Sequence, residues 1–307
     1  MKKKVILFCI IICIVLLFIG VKNNTEKEYN ADLSFIVLSD IHGNTKKFKN
    51  AIDDLYRVNS NVDALILNGD TVDQGIEEQY NYIESALYKS AKKLPNVVIK
   101  NMGNHEYYDY SCKKDTKENV NERLKRYIEF SGEEKIYHDT WIKGYHFISL
   151  GSDNNGIDKV NYTRGCISDK QIEWLKETVE EKYEEGRPIF IFLHQPIDMN
   201  FFGLNDTGVD KNDEIKNILL KYPEVILFTS HTHKTPNDVE DKANQLIEIN
   251  TGSVNSNCIE DVNAEDGFKE EKSYSNGIYV EVTDKNVTVK ARDFVSKQWI
   301  YTRELEF

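Results

Sequence analysis

LSDIHGN, residues 38–44, closes the apolar run SFIVLS (34–39) with an acid and an imidazole, Asp40 and His42. A short apolar run that ends in polar residues and a glycine is typical of a buried β-strand. Side chains two positions apart on a strand point to the same side, so Asp40 and His42 can converge on one object. A metal ion is the object that a neighbouring carboxylate and imidazole suggest.

The segments that follow alternate between helix and strand patterns. TKKFKNAIDDLYRV (45–58) has apolar residues at helical spacing, and DALILN (63–68) is a second short apolar run. A longer helical stretch around residues 76–93 precedes a third run, NVVIKN (96–101). This order predicts a mostly parallel sheet that is covered by helices.

The rest of the chain continues this alternation and then becomes rich in strands. The predicted elements are strands at YHFISLGS (145–152), PIFIFL (188–193) and EVILFTS (224–230), helices at 168–186 and 213–222, and strands from residue 245 onward at QLIEIN, GIYVEVT, NVTVKARDF and QWIYTRE. In the helix at 168–186, Ser168 and Gln171 predict a capping box and Gly186 predicts the end. No internal repeat or low-complexity tract divides residues 31–307, which predicts one α/β domain with a β-rich carboxyl-terminal part.

Residues 107–142 are polar and rich in aromatic side chains, and their pattern assigns no element. Tyr107, Tyr108 and Tyr110 fit two interpretations: they line the mouth of a substrate pocket, or they pack under loops. The sequence alone leaves both open.

The amino terminus has the composition of a membrane-targeting segment. Residues 5–21 contain no charge and follow three lysines at positions 2–4. This length exceeds the ~7–15 residues of a secretory signal core and reaches the lower limit of ~17–25 for a spanning helix. An uncleaved anchor, a cleaved signal and a buried core helix are the alternatives, and bulky residues at the expected cleavage site favour the anchor. We expect residues 1–30 to form a hydrophobic helix with a short linker, and residues 31–307 to lie outside the cytoplasm, membrane-anchored or, after cleavage, secreted.

The charge balance of the chain bears on its partners. The sequence has 39 Lys plus Arg and 51 Asp plus Glu, a formal net charge of −12. An acidic protein repels nucleic acids and anionic membrane surfaces, so we expect no nucleic-acid partner. A small anionic substrate would need local positive charge, which bound metal ions supply. Cys112, Cys166 and Cys258 show no zinc or redox spacing and are predicted to be isolated thiols with at most one bridge.

Polar side chains of one kind follow five of the predicted strands. They are Asp40 and His42 after the first strand, Asp70 and Asp73 after the second, Asn104 and His105 after the third, His194 after PIFIFL, and His231 and His233 after EVILFTS. The carboxyl ends of parallel strands share one edge of a sheet, so these loops can meet. Of the seven histidines, only His138 and His146 lie outside this set, and His146 is predicted to be structural.

Each of these residues has a structural explanation when it is taken alone. Asp70 and Asn104 fit turn positions, and His194 fits a hydrogen-bonded core histidine. Repetition at five strand ends instead favours a metal site. The donor set is Asp40, His42, Asp70, Asn104, His194, His231 and His233. Seven mixed nitrogen and oxygen donors are too many for one tetrahedral zinc and suit two transition ions about 3.5–4 Å apart, with Asp70 as the shared carboxylate.

Five short motifs in this order resemble those of the calcineurin-like metallophosphoesterases. The motifs are SDIHGN (39–44), NGDTVDQG (68–75), GNHE (103–106), LHQP (193–196) and SHTH (230–233). The resemblance implies a sandwich of two β-sheets flanked by helices. It also implies hydrolysis of phosphoesters at a centre of two divalent metal ions, whose identity (manganese, iron, zinc or cobalt) these donors leave open.

The resemblance also assigns roles to individual residues. It implies that Asp40, His42 and His233 hold one ion and that Asn104, His194 and His231 hold the other, with Asp70 linking both. His105 would interact with the leaving group, held by Asp73. These motifs do not distinguish monoester from diester substrates. They also identify neither the particular substrate nor the oligomeric state.

Two positions depart from the family's pattern. Ser230 stands where the last motif usually begins with glycine, and Gln74 stands where phosphoprotein phosphatases carry an arginine that grips phosphate. Gln74 therefore disfavours a protein-phosphatase role. Both departures favour the alternative of a non-catalytic, metal-stabilised binding or scaffold domain, whereas His105 and Asp73 argue for an enzyme.

Overall fold

The computed structural model describes residues 31–153, 163–197, 208–237, 246–260 and 268–307, and these residues form two large β-sheets, a two-stranded hairpin and five α-helices. The strands are β1 (Leu33–Leu38), β2 (Ala64–Asn68), β3 (Val97–Asn101), β4 (His138–Ile142), β5 (Tyr145–Ser149), β6 (Ile189–Phe192), β7 (Val225–Thr229), β8 (Ile247–Asn250), β9 (Asn257–Glu260), β10 (Phe268–Glu271), β11 (Asn276–Thr283), β12 (Asn286–Asp293) and β13 (Gln298–Glu306). The helices are α1 (Thr45–Val58), α2 (Glu77–Ser90), α3 (Lys117–Ser131), α4 (Asp169–Glu180) and α5 (Asn212–Leu219).

The two sheets differ in how their strands run. The first sheet has the order β13-β12-β11-β1-β2-β3, with β1, β2 and β3 parallel and β11 to β13 antiparallel. The second has the order β4-β5-β6-β7-β8, in which only β4 is antiparallel to its neighbour. Strands β9 and β10 form a separate two-stranded hairpin.

Aromatic side chains from both sheets fill the space between them. Phe35 of β1 packs edge-on against Phe147 of β5 and Phe190 of β6, with ring centroids 5.1 and 4.8 Å apart. Phe192 and Phe228 stack on each other in the same core. The outer faces are covered by helices α1 to α3 on the first sheet and α4 and α5 on the second. This confirms the predicted sandwich of two sheets flanked by helices.

The predicted hydrophobic helix at residues 5–21 lies outside the described residues. Within the described part of the chain, no helix has the length and apolar character needed to span a bilayer.

The helix predicted at 168–186 begins as expected, with Ser168 as its capping residue, but it ends earlier and its capping box is incomplete. The helix ends at Glu180, six residues before Gly186. Ser168 accepts a hydrogen bond from the Gln171 backbone N–H, as a capping residue does. The Gln171 side chain, however, is buried and exchanges two hydrogen bonds with the backbone of Gly151, so it does not complete a capping box. The Gln171 side chain thus bonds the distant Gly151 backbone instead of the Ser168 backbone N–H.

Residues 107–142 contain two elements that the sequence pattern did not reveal. Helix α3 begins after Thr116, whose side chain forms a capping box with Asn119, and it ends at Gly132 in a left-handed conformation. Strand β4 pairs with β5. An asparagine in place of the usual Glu or Gln of a capping box concealed the start of the helix.

Candidate metal centre

The predicted donors come from loops at the carboxyl ends of five parallel strands, three in the first sheet and two in the second. Backbone hydrogen bonds join neighbouring loops: the Asp40 N–H donates to Gly69 O at 3.1 Å, and the His42 N–H donates to Asp70 O at 3.0 Å. In the second sheet, the Ser230 N–H donates to His194 O at 2.8 Å. The sandwich therefore brings these loops together at one edge.

One group of donors consists of Asp40, His42 and His233, whose candidate ligand atoms all lie within 4.8 Å of one another. The two imidazole Nε2 atoms are 3.0 Å apart, and His233 Nε2 lies 3.1 Å from Asp40 Oδ1. Two ring nitrogens and a buried carboxylate thus face a common point.

A second group consists of Asp70, His194 and His231. His194 Nε2 lies 3.1 Å from Asp70 Oδ2, and the same oxygen is 3.9 Å from His42 Nε2 in the first group. Asn104 lines a pocket together with Asp70, His231 and His42. The carboxylate of Asp70 therefore approaches both groups. Asp40 Oδ1 of the first group also lies 3.8 Å from His194 Nε2.

Three buried atoms among these donors fit metal ligation. Asp40 Oδ1, Asn104 Oδ1 and His194 Nε2 have no hydrogen-bond partner within the described residues. Buried polar atoms are nearly always paired, so such atoms need an explanation. Asparagine and carboxylate oxygens together with imidazole nitrogens are donors that divalent transition ions accept. The residues present fit a centre of two such ions.

The backbone at these donors is unusual. Asp40, His42, Asp70, His231 and His233 all have positive φ, between 47° and 68°. A non-glycine residue in this region costs on the order of 1 kcal/mol, and such residues cluster at functional sites. Strand alternation was therefore the wrong reason for the convergence of Asp40 and His42: β1 ends at Leu38, and two left-handed residues in the following loop turn the side chains together.

Glycine precedes two of the donors because no side chain fits there. A Cβ at Gly69, where φ is 87°, would lie 2.5 Å from His194 Nδ1. A Cβ at Gly103 would lie 2.2 Å from Asp70 Oδ1. Backbone and ligand side chains therefore pack against each other directly.

Glu106 is a site residue to which the sequence analysis gave no role. It is fully buried and accepts hydrogen bonds from the backbone N–H groups of Gly103, Asp70 and Thr71 at 2.8–3.1 Å. Burial and the neighbouring charge of Asp70 raise its pKa to about 7. Its position in GNHE, directly after Asn104 and His105, was the available signal. Glu106 ties the loop after β2 to the loop after β3.

His105 and Asp73 lie beside the donors, as the motif order suggested. His105 Nδ1 is 2.9 Å from the main-chain oxygen of Asp73 and 3.5 Å from its carboxylate. The same carboxylate oxygen is 3.5 Å from His42 Nδ1. These three residues also lie close enough to form a third donor group, but the ring of His105 is already held by the Asp73 backbone. Asp73 thus contacts both histidines.

The charges of the donors predict that metal loading releases protons. Burial opposes protonation of His194, but the carboxylates of Asp70 and Asp40 outweigh it and raise its pKa to about 10. Despite burial, Asp73, Asp70 and Asp40 likewise raise the pKa of His42. A protonated imidazole must lose its proton to bind a metal ion. We expect at least one proton per protein to be released at pH 7, and apparent affinity to rise about tenfold per pH unit for each proton.

Isothermal titration calorimetry in buffers of different ionisation enthalpy measures this release. An observed enthalpy that does not depend on the buffer would contradict the prediction. Titration of the His194→Ala protein should show fewer protons released.

Ser230 is accommodated by a buried chain of hydrogen bonds. Its backbone is not in the left-handed region that would require glycine. Its hydroxyl lies 2.9 Å from Asn68 Nδ2, which donates to it, and 2.8 Å from the Thr251 hydroxyl, which in turn lies 2.8 Å from that of Ser39. The chain links β1, β2, β7 and the loop after β8 beneath the donors. The departure from glycine is therefore a bonded position rather than a defect.

Replacing Ser230 with alanine should lower the free energy of unfolding by about 1–2 kcal/mol, because a buried amide N–H and a buried hydroxyl lose a partner. Urea unfolding of the metal-free protein measures this change. Ser60 is exposed, so Ser60→Ala is a matched control with an expected change within about 0.5 kcal/mol. Equal stability of the two variants would count against the bonded role of Ser230.

Gln74, the second departure, also has a partner. Its side-chain oxygen accepts a hydrogen bond from the Tyr110 backbone N–H at 2.7 Å. Gln74 therefore holds the loop that carries Tyr108 and Tyr110.

The donors open into a pocket of about 450 Å³. Its lining beyond the predicted site residues consists of Tyr108, Thr163, Thr232, Asn255, Cys258 and Glu270. The tyrosines divide between the two interpretations: Tyr108 lines the pocket, whereas Tyr107 is buried and donates to Ser152 O at 2.6 Å. The sequence analysis missed Asn255, Cys258 and Glu270, since residues 251–275 carried no assigned element.

Cys112, Cys166 and Cys258 form no disulfide with one another.

A two-sheet sandwich that gathers these donors at one edge has the form of a metal-dependent hydrolase. The sequence model of the calcineurin-like phosphoesterases matches residues 33–235, and the chain belongs to this family. The protein is accordingly a phosphoesterase, and membership implies a dinuclear centre of divalent metal ions.

Solved structures support the fold. The chain is similar to a dimetal phosphatase from Danio rerio, with a TM-score of 0.60, 12% identity, and 91% of this chain and 100% of that one covered. It is also similar to a purple acid phosphatase from yellow lupin, Lupinus luteus, with a TM-score of 0.63, 12% identity and 89% of this chain covered. The chain spans about half of the lupin enzyme, 53% of its length. No curated protein sequence gives a significant match.

Proposed function

We propose that the protein hydrolyses a small phosphorylated substrate, a phosphomonoester or phosphodiester, at a centre of two divalent ions outside the cytoplasm. The proposed ligands are Asp40, His42 and His233 for one ion, Asn104, His194 and His231 for the other, and Asp70 for both. The observation that carries this proposal is that Asp70 Oδ2 approaches both donor groups at the floor of a single open pocket.

The chemistry of the two ions, when bound, is Lewis acidity that activates water for attack on phosphorus and offsets the charge of the phosphoryl oxygens. The chain's own residues then have distinct tasks. Asn104 Nδ2 donates to the Tyr108 hydroxyl at 2.9 Å, and the buried Asn104 Oδ1, which has no hydrogen-bond partner among the described residues, would be the atom that binds an ion. Glu106 holds the loops that carry Asp70 and Asn104 in register.

His105 is the proposed proton donor to the leaving oxygen. Its side chain is 19% exposed and lines the pocket, and its Nδ1 is occupied by the Asp73 main chain. The ring is therefore fixed with Nε2 available to the substrate. A positioned imidazole that donates a proton to the leaving group typically accelerates a reaction by about 10²–10⁴-fold.

Metal reconstitution tests the proposal. The full chain in detergent is stripped of metal and loaded with manganese, iron, zinc or cobalt singly, and then assayed with p-nitrophenyl phosphate and with bis(p-nitrophenyl) phosphate. We expect turnover that depends on two equivalents of ion, and the preferred ester separates monoesterase from diesterase. Two bound equivalents without turnover of either ester would instead favour the non-catalytic scaffold.

The placement outside the cytoplasm rests on residues 1–30 alone. Lysines at positions 2–4 and the uncharged residues 5–21 support an anchor or signal, and residues 31–307 would then form the external phosphoesterase domain. Protease added to intact cells should digest residues 31–307. Protection of this domain until the membrane is permeabilised would contradict the proposed side.

A further inference from the structure

The β9–β10 hairpin forms one wall of the pocket. Cys258 of β9 and Glu270 of β10 are direct cross-strand partners. Cross-strand partners point to the same face of a hairpin, and both of these residues line the pocket. One face of the hairpin is therefore turned toward the metal centre.

This wall is fastened to the centre from two sides. The Cys258 N–H donates to the main-chain oxygen of His233, a predicted ligand, at 2.6 Å. On the other side, the ammonium of Lys47 in α1 binds the main-chain oxygens of Asn255, Lys272 and Tyr274. The hairpin is thus held where β9 begins and where β10 ends, and Glu270 has a defined position relative to the metal centre.

The wall gives the pocket a negative rim. None of the described residues that line it is a lysine or arginine, and its carboxylates beyond the predicted ligands are those of Asp73 and Glu270. Lys272 Nζ is 3.8 Å from Glu270 Oε2, but the two side chains are 79% and 53% exposed, and such pairs are weak. Lys47 is a second ammonium that interacts with Glu270, and its Nζ donates to three main-chain carbonyl oxygens rather than lining the pocket.

Aromatic rings form another part of the lining. The rings of His105 and Tyr108 line the pocket 4.5 Å apart. Tyr110, which is 63% exposed and lies outside the lining, has its ring centroid 6.1 Å from that of Tyr108. The faces of tyrosine rings attract organic cations. The carboxylates and the aromatic rings of the lining therefore both favour an organic cation.

We propose that Glu270 determines specificity, selecting phosphoesters whose alcohol part carries an amine or quaternary ammonium over those with a carboxylate or a second phosphate. This inference rests on the proposed function, in which the two ions meet the charge of the reacting phosphoryl group. The remaining part of the substrate then extends past a rim where the described lining residues offer carboxylates and aromatic rings and no lysine or arginine.

A charge series of alcohols tests the proposal with the metal-loaded full chain. If p-nitrophenyl phosphate is turned over, the substrates are 2-aminoethyl phosphate, propyl phosphate and phosphoglycolate, and the release of phosphate measures their hydrolysis. If only the bis ester is turned over, the p-nitrophenyl diesters of choline and of ethanol take their place. We expect kcat/KM to fall from the cationic to the neutral substrate by about five- to tenfold, and further for phosphoglycolate.

Variants at the hairpin assign the preference to one side chain. Glu270→Gln should remove most of the ratio between cationic and neutral substrates, and Glu270→Lys should invert it. Lys272→Gln should raise the ratio, since it removes the competing ammonium. Glu271→Gln is the matched control, because Glu271 is the next residue on β10 and its side chain points to the opposite face.

The outcomes separate the two proposals. If neither p-nitrophenyl ester is hydrolysed, the proposed function fails. If a reporter ester is hydrolysed but the charge ratio is flat, or is the same in Glu270→Gln as in Glu271→Gln, the specificity role is wrong while the hydrolase stands.

Discussion

Replacing Asp70 with asparagine is expected to reduce turnover by about 10³-fold or more and to lower bound metal from two equivalents to one or none. Asp70 is buried, and its carboxylate approaches both donor groups. The asparagine side chain has the same shape and keeps an oxygen that can accept the hydrogen bond from the His105 backbone N–H, which donates to Asp70 Oδ1 at 2.8 Å. The substitution therefore removes charge and one oxygen donor rather than the fold of the loop. Elemental analysis and steady-state kinetics measure the two effects.

A buried carboxylate outside the donor set provides the control for Asp70. Asp54 of α1 is buried and pairs with Arg292 of β12, whose Nε donates to it at 2.8 Å. Asp54→Asn should lower thermal stability, because it weakens a buried ion pair, yet keep two equivalents of metal. Full metal content and activity in Asp70→Asn would refute the role of Asp70 as the shared ligand.

Replacing His105 with alanine is expected to slow turnover by about 10²–10⁴-fold while two equivalents of metal remain bound. His105 lines the pocket but belongs to neither of the two proposed ion-binding groups. The loss of turnover should be smaller for p-nitrophenyl esters than for alkyl esters, because the p-nitrophenolate leaving group needs little protonation. Comparing p-nitrophenyl and alkyl esters therefore separates proton donation from a structural defect.

Two further variants serve as controls for the effect of His105→Ala on turnover. Asp73→Asn should cost only about tenfold, because the main-chain oxygen that holds His105 Nδ1 is unchanged. His146 bonds Asp139 at 2.9 Å and stacks on Trp141, away from the donors, so His146→Ala should alter stability rather than turnover. A His105→Ala enzyme as fast on alkyl esters as His146→Ala would exclude the proposed role.

Local pattern predicted the regular elements well where burial and periodicity agree. The helix predicted at residues 45–58 matches α1 (Thr45–Val58), and the parallel strands lie within a residue or two of their predicted bounds except β5, which ends three residues early, at Ser149. Helix α3 and the β9–β10 hairpin were missed because their stability comes from capping and tertiary contacts that periodicity does not record. The pairing of Gln171 with Gly151 is a case of the same kind.

The residue types and their order at the strand ends were sufficient to determine the family and the set of candidate donors, because ligand chemistry depends on side-chain identity. Only the tertiary structure decided how those side chains meet. Five left-handed backbone positions turn the donors inward, Glu106 fastens two loops through three buried N–H groups, and Ser230 completes a hydroxyl chain between the sheets. The sequence could not supply these features, since each depends on contacts between residues far apart in the chain. The same holds for Glu270, which reaches the pocket because the hairpin that carries it folds back over the centre.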